Sequence, residues 1–271
     1  MEGGKKGEYA LKLHKNVYGQ KHAGRVWYKY LTKKLTEEFV FERSQVDECV
    51  FYRGKKIYVL YTDDYILAGP DQEDIEQVIR YLRKANLEVT YEGNIEDFLG
   101  VNIERKEGKI KLSQPHLIEQ VIKDLGLNHD KVLSKPIPAA SSKILFAHKE
   151  SQPFNNSFNY RSVIIKLKYL EKSFRPDISY IVHQCVRLST DHRKEHGQAL
   201  RWLGKYLKDN INEGTTIQPE KGRGLEVWVD DDFAGNWNRL ENEDRDTARS
   251  RHGYFILYES FTILKKSQLQ T

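Results

Sequence analysis

The chain has 271 residues, of which 31% are charged and 39% hydrophobic, and a formal net charge of +5. That is the composition of a globular protein long enough to bury a sizeable core. No run approaches the roughly 18 apolar residues of a membrane helix, and no apolar segment follows Met1-Glu-Gly-Gly-Lys-Lys, so neither a membrane partner nor a secretory signal is expected.

Only Cys49 and Cys185 could form a disulfide. They are far apart inside apolar patterns, which points to buried thiols in a reducing, cytoplasmic setting. The charge is uneven. Residues 1–35 hold nine Lys and Arg against Glu2 and Glu8, a local +7. A concentrated basic segment suits a polyanion such as nucleic acid, and equally a solvated lysine face.

In chain order, residues 7–18 alternate loosely and predict an edge strand. Gly19-Gln20-Lys21 marks a turn. Ala23, Trp27, Leu31, Leu35 and Phe39 then recur four apart, predicting an amphipathic helix with Arg25, Lys29 and Lys33 on another stripe. Asp47–Gly54 reads as a strand ending in a glycine turn. Lys56–Tyr61 and the run through Ile66-Leu67-Ala68-Gly69 form two β-rich segments around Thr62-Asp63-Asp64, the pattern of a β-hairpin. Adjacent carboxylates at its tip repel unless a cation sits between them, and hard divalent ions take such oxygens. A solvated turn is the alternative.

Pro70-Asp71 predicts a helix start, with Ile75, Val78, Ile79 and Leu82 on its apolar face, and Leu87–Tyr91 reads as a returning strand. Phe98–Arg105 and Lys109–Ser113 form a second hairpin. Ser113-Gln-Pro-His opens a helix that Gly126 closes. Residues 128–157 lack apolar periodicity and read as a linker. Three helices follow: one on Tyr160, Val163, Ile164, Leu167 and Leu170, one opening at Arg175-Pro-Asp, and one on Ala199, Leu200, Leu203 and Leu207. Asn210–Gly224 reads as a turn-rich break. Leu225–Val229 is a strand ending in Asp230-Asp231-Asp232, and a hairpin around Glu259-Ser260 follows a polar stretch. This last sheet has a face with nothing to cover it, so it reads as an incomplete domain.

Other sites are weaker. His183, Cys185, His192 and His196 suggest zinc, and His192 and His196 fall four apart on a predicted helix. Cys185 belongs to an apolar stripe on a different helix, and a structural zinc site usually has four ligands, so zinc is disfavoured. Phosphate-cradling glycine motifs and a Gly-x-Ser-x-Gly elbow are missing. Asp230–Asp232, with Gly235 close behind, is either an acidic turn or a divalent-ion site.

Taken together these pieces resemble the polymerase of copia-type long-terminal-repeat retrotransposons. Leu13–Tyr28 resembles the family's Lys-x-Leu-Tyr-Gly-Leu-Lys-Gln-Ala-x-Arg-x-Trp motif, and Tyr61-Thr-Asp-Asp64 with Ile66–Gly69 its Tyr-x-Asp-Asp hairpin. Phe98-Leu-Gly-Val and Leu112-Ser-Gln resemble the primer grip; Tyr160-Arg-Ser-Val and Arg175-Pro-Asp-Ile resemble thumb and connection helices. Val229–Trp237, Ser250–Tyr254 and Lys266–Thr271 resemble the first half of a ribonuclease H domain.

The resemblance implies an α+β fold: a right-hand polymerase palm and thumb fragment followed by a partial ribonuclease H-like sheet. The implied domains are a partial palm over 7–127, a linker over 128–157, thumb and connection helices over 158–212, and a truncated nuclease domain over 225–271. It implies an RNA-directed DNA polymerase using Mg²⁺ or Mn²⁺, with RNA template, DNA primer, RNA–DNA hybrid and dNTP as partners, acting in the cytoplasm, the nucleus or virus-like particles. Asp63, Asp64 and Asp230 are the implied catalytic residues, and Asp63, Asp64, Asp230 and Asp232 the metal ligands. Gly19, Gln20, Lys21 and Arg25 are implied to meet nucleotide and nucleic acid.

The family's upstream palm Asp has no counterpart before Gly19, and its remaining nuclease carboxylates fall after the Leu-Gln-Thr segment that ends at Thr271. Each site is therefore expected to be half present and the chain inactive alone. The alternative is a non-catalytic nucleic-acid-binding remnant or pseudogene product. Lys166 and Lys168 also depart from the Gly and Asn that the family more often shows.

Overall fold

The computed structural model describes residues 12–17, 19–129, 131–140, 145–146, 151–237, 239 and 245–270. Glu2, Glu8, residues 7–11, Tyr18, the uncounted parts of the expected linker, residues 238 and 240–244, and Thr271 lie outside them. The protein mixes helix and antiparallel sheet and divides into two compact units, residues 1–95 and 96–271.

In the first unit, helix α1 (Ala23–Lys33) continues into a π-helical turn (Lys34–Glu38). Strands β1 (Glu42–Arg43), β2 (Val50–Arg53), β3 (Lys56–Tyr61) and β4 (Asp64–Ala68) form an antiparallel sheet in that order. Helix α2 (Gln72–Lys84) follows, its first turn capped by the Asp71 carboxylate, which accepts from the Asp74 amide at 2.8 Å. The period of two in β3 decides its faces. Tyr58 and Leu60 turn inward to Leu31, Leu35, Phe51, Val78 and Leu82, whereas Ile57 and Tyr61 face solvent.

Three expectations change here. Residues 12–17 are irregular, not an edge strand. Leu87–Tyr91 is also no strand: among the described residues no strand pairs with it, the Leu87 amide donates back to the Leu82 carbonyl, and Arg83 donates to the Val89 carbonyl. Finally, the apolar stripe of α1 is only half buried. Leu31 and Leu35 are in the core, but Val26, Trp27 and Tyr30 are exposed.

The second unit opens with β5 (Asp97–Phe98), β6 (Val101–Lys106) and β7 (Lys109–Ser113). Helix α3 (Pro115–Asp124) starts on Pro115, whose missing N–H costs nothing at that position, and ends at Gly126 with φ +68°. Helices α4 (Tyr160–Ser173), α5 (Ser179–Arg187) and α6 (Lys194–Asp209) pack with α3 around Ile118, Val121, Val163, Leu167, Leu170, Val182, Leu200 and Leu203, all fully buried. Asn159 caps α4 through the Ser162 amide at 3.0 Å. The departure Lys166 has a local explanation: its ammonium donates to Asp124 on α3 at 2.8 Å.

The expected helix at Arg175-Pro-Asp is a 3-10 turn (Pro176–Ile178) leading into α5. Arg175 is held there, 2% exposed, by two bonds to Asp177 and one to the Asn210 carbonyl. The expected break at 210–224 contains a strand, β8 (Gly214–Ile217), that pairs with β7. Gly214 permits the approach, since a Cβ there would sit 2.0 Å from the Leu112 carbonyl oxygen.

The last sheet has order β11-β10-β9, from β9 (Leu225–Asp231), β10 (Arg251–Tyr258) and β11 (Phe261–Leu269), with a short helix α7 (Arg245–Ala248) before β10. Glu259 and Ser260 both take positive φ, 50° and 66°, as a two-residue hairpin turn requires. A polar seam joins this sheet to the helices. Lys265 donates to the Glu171 carbonyl, Ser179 to the Glu171 carboxylate at 2.6 Å, and the Arg251 guanidinium lies 3.1 Å from His183 Nδ1. Among the described residues no helix is long and apolar enough to cross a membrane.

Candidate active site

The β3–β4 hairpin is as tight as the alternation predicts: Tyr61 pairs with Asp64, leaving Thr62 and Asp63 as the two-residue tip. Because pairing alternates faces, Tyr65 and Leu67 turn into the core, where the Tyr65 ring stacks on Tyr58 at 5.1 Å. Burial pushes the pKa of both phenols up, which suits a packing role. Asp64 therefore sits on the opposite, solvent-facing side with Tyr61, and Asp63 stands at the exposed tip. Thr62 has φ +57°, left-handed backbone that is uncommon for a β-branched side chain. Strain of this kind persists where the surroundings fix it, and it is frequent at functional sites.

What fixes it is Trp27. Its indole N–H donates to the Thr62 carbonyl at 2.8 Å, tying α1 to the hairpin tip. This residue was read from the sequence as an apolar core position. Its exposure, 36%, and its stacking on Tyr30 show a side chain that works at the surface. Nothing in the periodicity distinguishes it; only the partner 35 residues on does.

The glycine turn before α1 is also built as the spacing suggests. Gly19 has φ +89°, the Gln20 amide donates to the Val17 carbonyl at 3.1 Å, and Gln20 Oε1 accepts from the Val17 amide at 3.2 Å. Gln20 is thereby committed to holding the turn. Lys21 and Arg25 are exposed and one turn apart. At 3.6 residues per turn, Arg25 lies about 200° round α1 from Trp27, so the side of α1 nearest the tip is the side of Trp27 and Gly24. A Cβ on Gly24 would meet nothing within 4 Å, so that side is open.

Asp63 and Asp64 are brought together by the hairpin. Among the described residues no third His, Cys, Asp or Glu joins them in a group able to hold a metal ion. Their oxygens are hard donors and no described cation pairs with them, so they fit two of the ligand positions of Mg²⁺ or Mn²⁺.

In the second unit, Asp230 is the penultimate residue of β9, opposite Gly253, exposed and with no side chain at its paired position. Asp232 is engaged otherwise. Its Oδ1 accepts from the Arg251 amide at 2.6 Å, and Gly235 packs so close that a Cβ would lie 2.7 Å from Asp232 Oδ2. The disfavoured zinc set is not assembled. His192 precedes α6 and stacks on the Tyr160 ring at 4.2 Å. His196 Nδ1 accepts from the Arg193 amide, which leaves Nε2 to donate to the Phe146 carbonyl. Cys185 is buried, which pushes its thiol up to about 12.

The family described as reverse transcriptase (RNA-dependent DNA polymerase) matches residues 2–139. The chain is 31% identical, over 92% of its length, to the Retrovirus-related Pol polyprotein from transposon RE1 of Arabidopsis thaliana, and covers 16% of that polyprotein. It is 28% identical over 96% of its length to the Pol polyprotein from transposon TNT 1-94 of Nicotiana tabacum, covering 19% of it. The RE2 Pol polyprotein of Arabidopsis thaliana is 30% identical over 92% of the chain, which covers 16% of it. The chain thus spans less than a fifth of the length of these relatives. No solved structure matches it.

Proposed function

We propose, because the chain belongs to the reverse transcriptase family of copia-type retrotransposons, that it is the Pol segment carrying the Tyr-x-Asp-Asp hairpin, and that Asp63 and Asp64 are ligands of the polymerase metal ions. The observation that carries this reading is the hairpin tip itself: two adjacent, exposed, cation-free carboxylates on a strained turn that a helix holds in place. The first unit and the sheet of β5–β7 would form part of a right-hand palm, α4–α6 thumb and connection helices, and β9–β11 the start of a ribonuclease H-like domain with Asp230 as a metal ligand. Asp232 has a smaller part in this reading, since the Arg251 amide already occupies one of its oxygens.

Divalent ions in such a site lower the pKa of the attacking hydroxyl and stabilise charge on the phosphates. The residues present serve that chemistry by position. Trp27 and the Thr62 turn present both carboxylates toward solvent, and the open side of α1 at Gly24 leaves space for an RNA template, a DNA primer and a dNTP. Two carboxylates make an incomplete ligand set. The remaining ligands would come from outside the described residues, and the chain alone is expected to bind Mn²⁺ weakly and not to extend a primer.

The test is Mn²⁺ binding followed by electron paramagnetic resonance. Asp63→Asn should abolish the hairpin-bound signal, Asp230→Asn and Asp232→Asn should leave that signal intact, and the same Asp63→Asn in an active polyprotein should remove RNA-templated primer extension. Unchanged Mn²⁺ binding in Asp63→Asn would refute the assignment.

A further inference from the structure

Strand β9 (Leu225–Asp231) is the outer strand of its sheet, and among the described residues nothing pairs with its free edge. Its register on β10 shows which groups that edge offers. The Asp232 amide donates to the Arg251 carbonyl and the Glu259 amide to the Gly224 carbonyl, with the register unbroken between them. The even-numbered residues of β9 therefore bond to β10, and the amides and carbonyls of Leu225, Val227, Val229 and Asp231 point outward. The side chains of these four share one face of the sheet. Leu225, Val227 and Val229 are each more than half exposed, as is Trp228 on the other face.

Free edges are usually guarded by lysine, proline or a bulge. At the far side of this sheet, β11 carries Lys265 and Lys266 and pairs with β10 through a register shift. β9 has no such guard. Its charges collect at the two ends instead: Lys221 and Arg223 precede it, and Asp230, Asp231 and Asp232 close it. Glu226, the charge in between, is taken up by Arg223 at 3.1 Å. The Arg223 contacts to Glu220 and Glu226 are surface pairs, which rearrange at little cost.

We infer that β9 pairs antiparallel with β9 of a second copy of this chain, joining two three-stranded sheets into one continuous sheet. Pairing through the outward groups sets an odd-numbered residue opposite an odd-numbered one. Centred on Val227, it places Leu225 against the partner's Val229 and Asp231 against the partner's Arg223. On the other face, Glu226 meets the partner's Trp228 and Asp230 the partner's Gly224. The neighbouring registers are worse. A centre at Trp228 opposes Glu226 and Asp230, a centre at Glu226 opposes two Glu226 carboxylates, and a parallel pairing runs the two aspartate clusters side by side. Like charges directly opposite are destabilising. The Val227 register alone among these gathers the apolar residues and sets opposite charges face to face. That complementarity of the edge with itself selects a second copy over an unrelated strand. Main-chain bonds and a narrow apolar strip would hold the pair, a contact smaller than a standard interface and so dependent on concentration.

The experiment is sedimentation equilibrium of the 271-residue chain from about 1 to about 100 μM, where a monomer–dimer equilibrium is expected. Val227→Pro removes the outward amide at the centre of the pairing. Proline is tolerated on a free edge, so circular dichroism should be unchanged while the dimer weakens about tenfold or more. Val227→Lys should have the same effect, and covers the case in which the proline variant does not fold. Oxidation reads the register. Opposed Cα atoms of a hydrogen-bonded pair lie about 5.5 Å apart, within disulfide range, so Val227→Cys should cross-link to itself above the background of Cys49 and Cys185. Trp228→Cys, opposite the partner's Glu226, should not. The proposal is overturned if the chain is monomeric throughout, if folded Val227→Pro and Val227→Lys dimerise like wild type, or if Trp228→Cys cross-links as readily as Val227→Cys. A monomer whose outward β9 amides exchange slowly would place another segment on this edge, and overturns it too. Asp63→Asn should leave the dimer unchanged, so a failed polymerase assignment and a failed edge pairing give different results.

Discussion

The indole N–H of Trp27 lies 2.8 Å from the carbonyl oxygen of Thr62, the residue that turns the chain from β3 into β4. One hydrogen bond therefore joins the helix after the glycine turn to the tip that carries Asp63 and Asp64. A net contribution of about 1 kcal/mol is usual for such a bond. Trp27→Phe keeps the ring and removes the donor, so it should cost about that much locally. Hydrogen exchange at the hairpin-tip amides, faster in the variant by several-fold, is the measurement; unchanged exchange would show that the bond does not hold the tip.

Thr62 supplies a second test at the same turn. A non-glycine residue in left-handed backbone costs about 1–3 kcal/mol, and Asn tolerates that region better than a β-branched side chain. Thr62→Asn should raise stability by about 1 kcal/mol in urea unfolding. In a polymerase that carries this segment, it should slow primer extension if the strain positions the carboxylates.

Two glycines separate local propensity from tertiary contact. In a free helix Gly→Ala is favourable by about 1 kcal/mol. Gly204 lies within α6, yet its Cβ would collide with Leu125 and Leu127, so Gly204→Ala should destabilise. Gly214→Ala should cost more, because the clash is with the backbone oxygen of Leu112 and not with a side-chain end that can swing away. Urea midpoints in the order wild type, Gly204→Ala, Gly214→Ala would bear this out; a Gly204→Ala midpoint above wild type would contradict the packing.

The Arg175–Asp177 pair sets a pH dependence. Burial pushes the Asp177 carboxyl up, but the Arg175 guanidinium and the Tyr206 hydroxyl, bonded at 2.8 Å each, together outweigh it and hold the pKa below the usual carboxylate range. Glu171 is likewise depressed: burial raises it, and bonds from His183 and Ser179 outweigh that. A depressed folded pKa means that the stabilisation is present above the unfolded value, about 4, and is lost as pH falls through the folded one. Unfolding followed from pH 6 down to about pH 2 should therefore show a loss that is smaller in Asp177→Asn. Arg175→Ala should cost about 3–5 kcal/mol near neutral pH, since the guanidinium is buried and its partners are left unpaired.

Much of this protein was legible in its residues. The hairpin at 56–68 follows from period-two alternation around a polar pair, and α2 from an Asp cap ahead of a 3.6-residue apolar stripe, because both signals are local. The family motifs are local too, which is why the Tyr-x-Asp-Asp hairpin and the glycine turn stood out before any fold was known. Asp63 in the two-residue tip and Asp64 at the start of β4 are neighbours by necessity once the alternation is read.

Tertiary structure decided what depends on partners distant in sequence. Leu87–Tyr91 has the composition of a strand but no described strand pairs with it, while Gly214–Ile217, hidden in a turn-rich stretch, becomes β8 because β7 lies beside it. Trp27 reads as core and serves as a clamp on the hairpin. Lys131, Lys135, Arg201 and Lys205 line one groove from two segments some seventy residues apart; the basic outer side of α6, with Arg201, Lys205 and Lys208, is legible in its own sequence, and its meeting with the earlier segment is not. Periodicity reports which face of an element is apolar; only the packed chain determines what each polar group finds there.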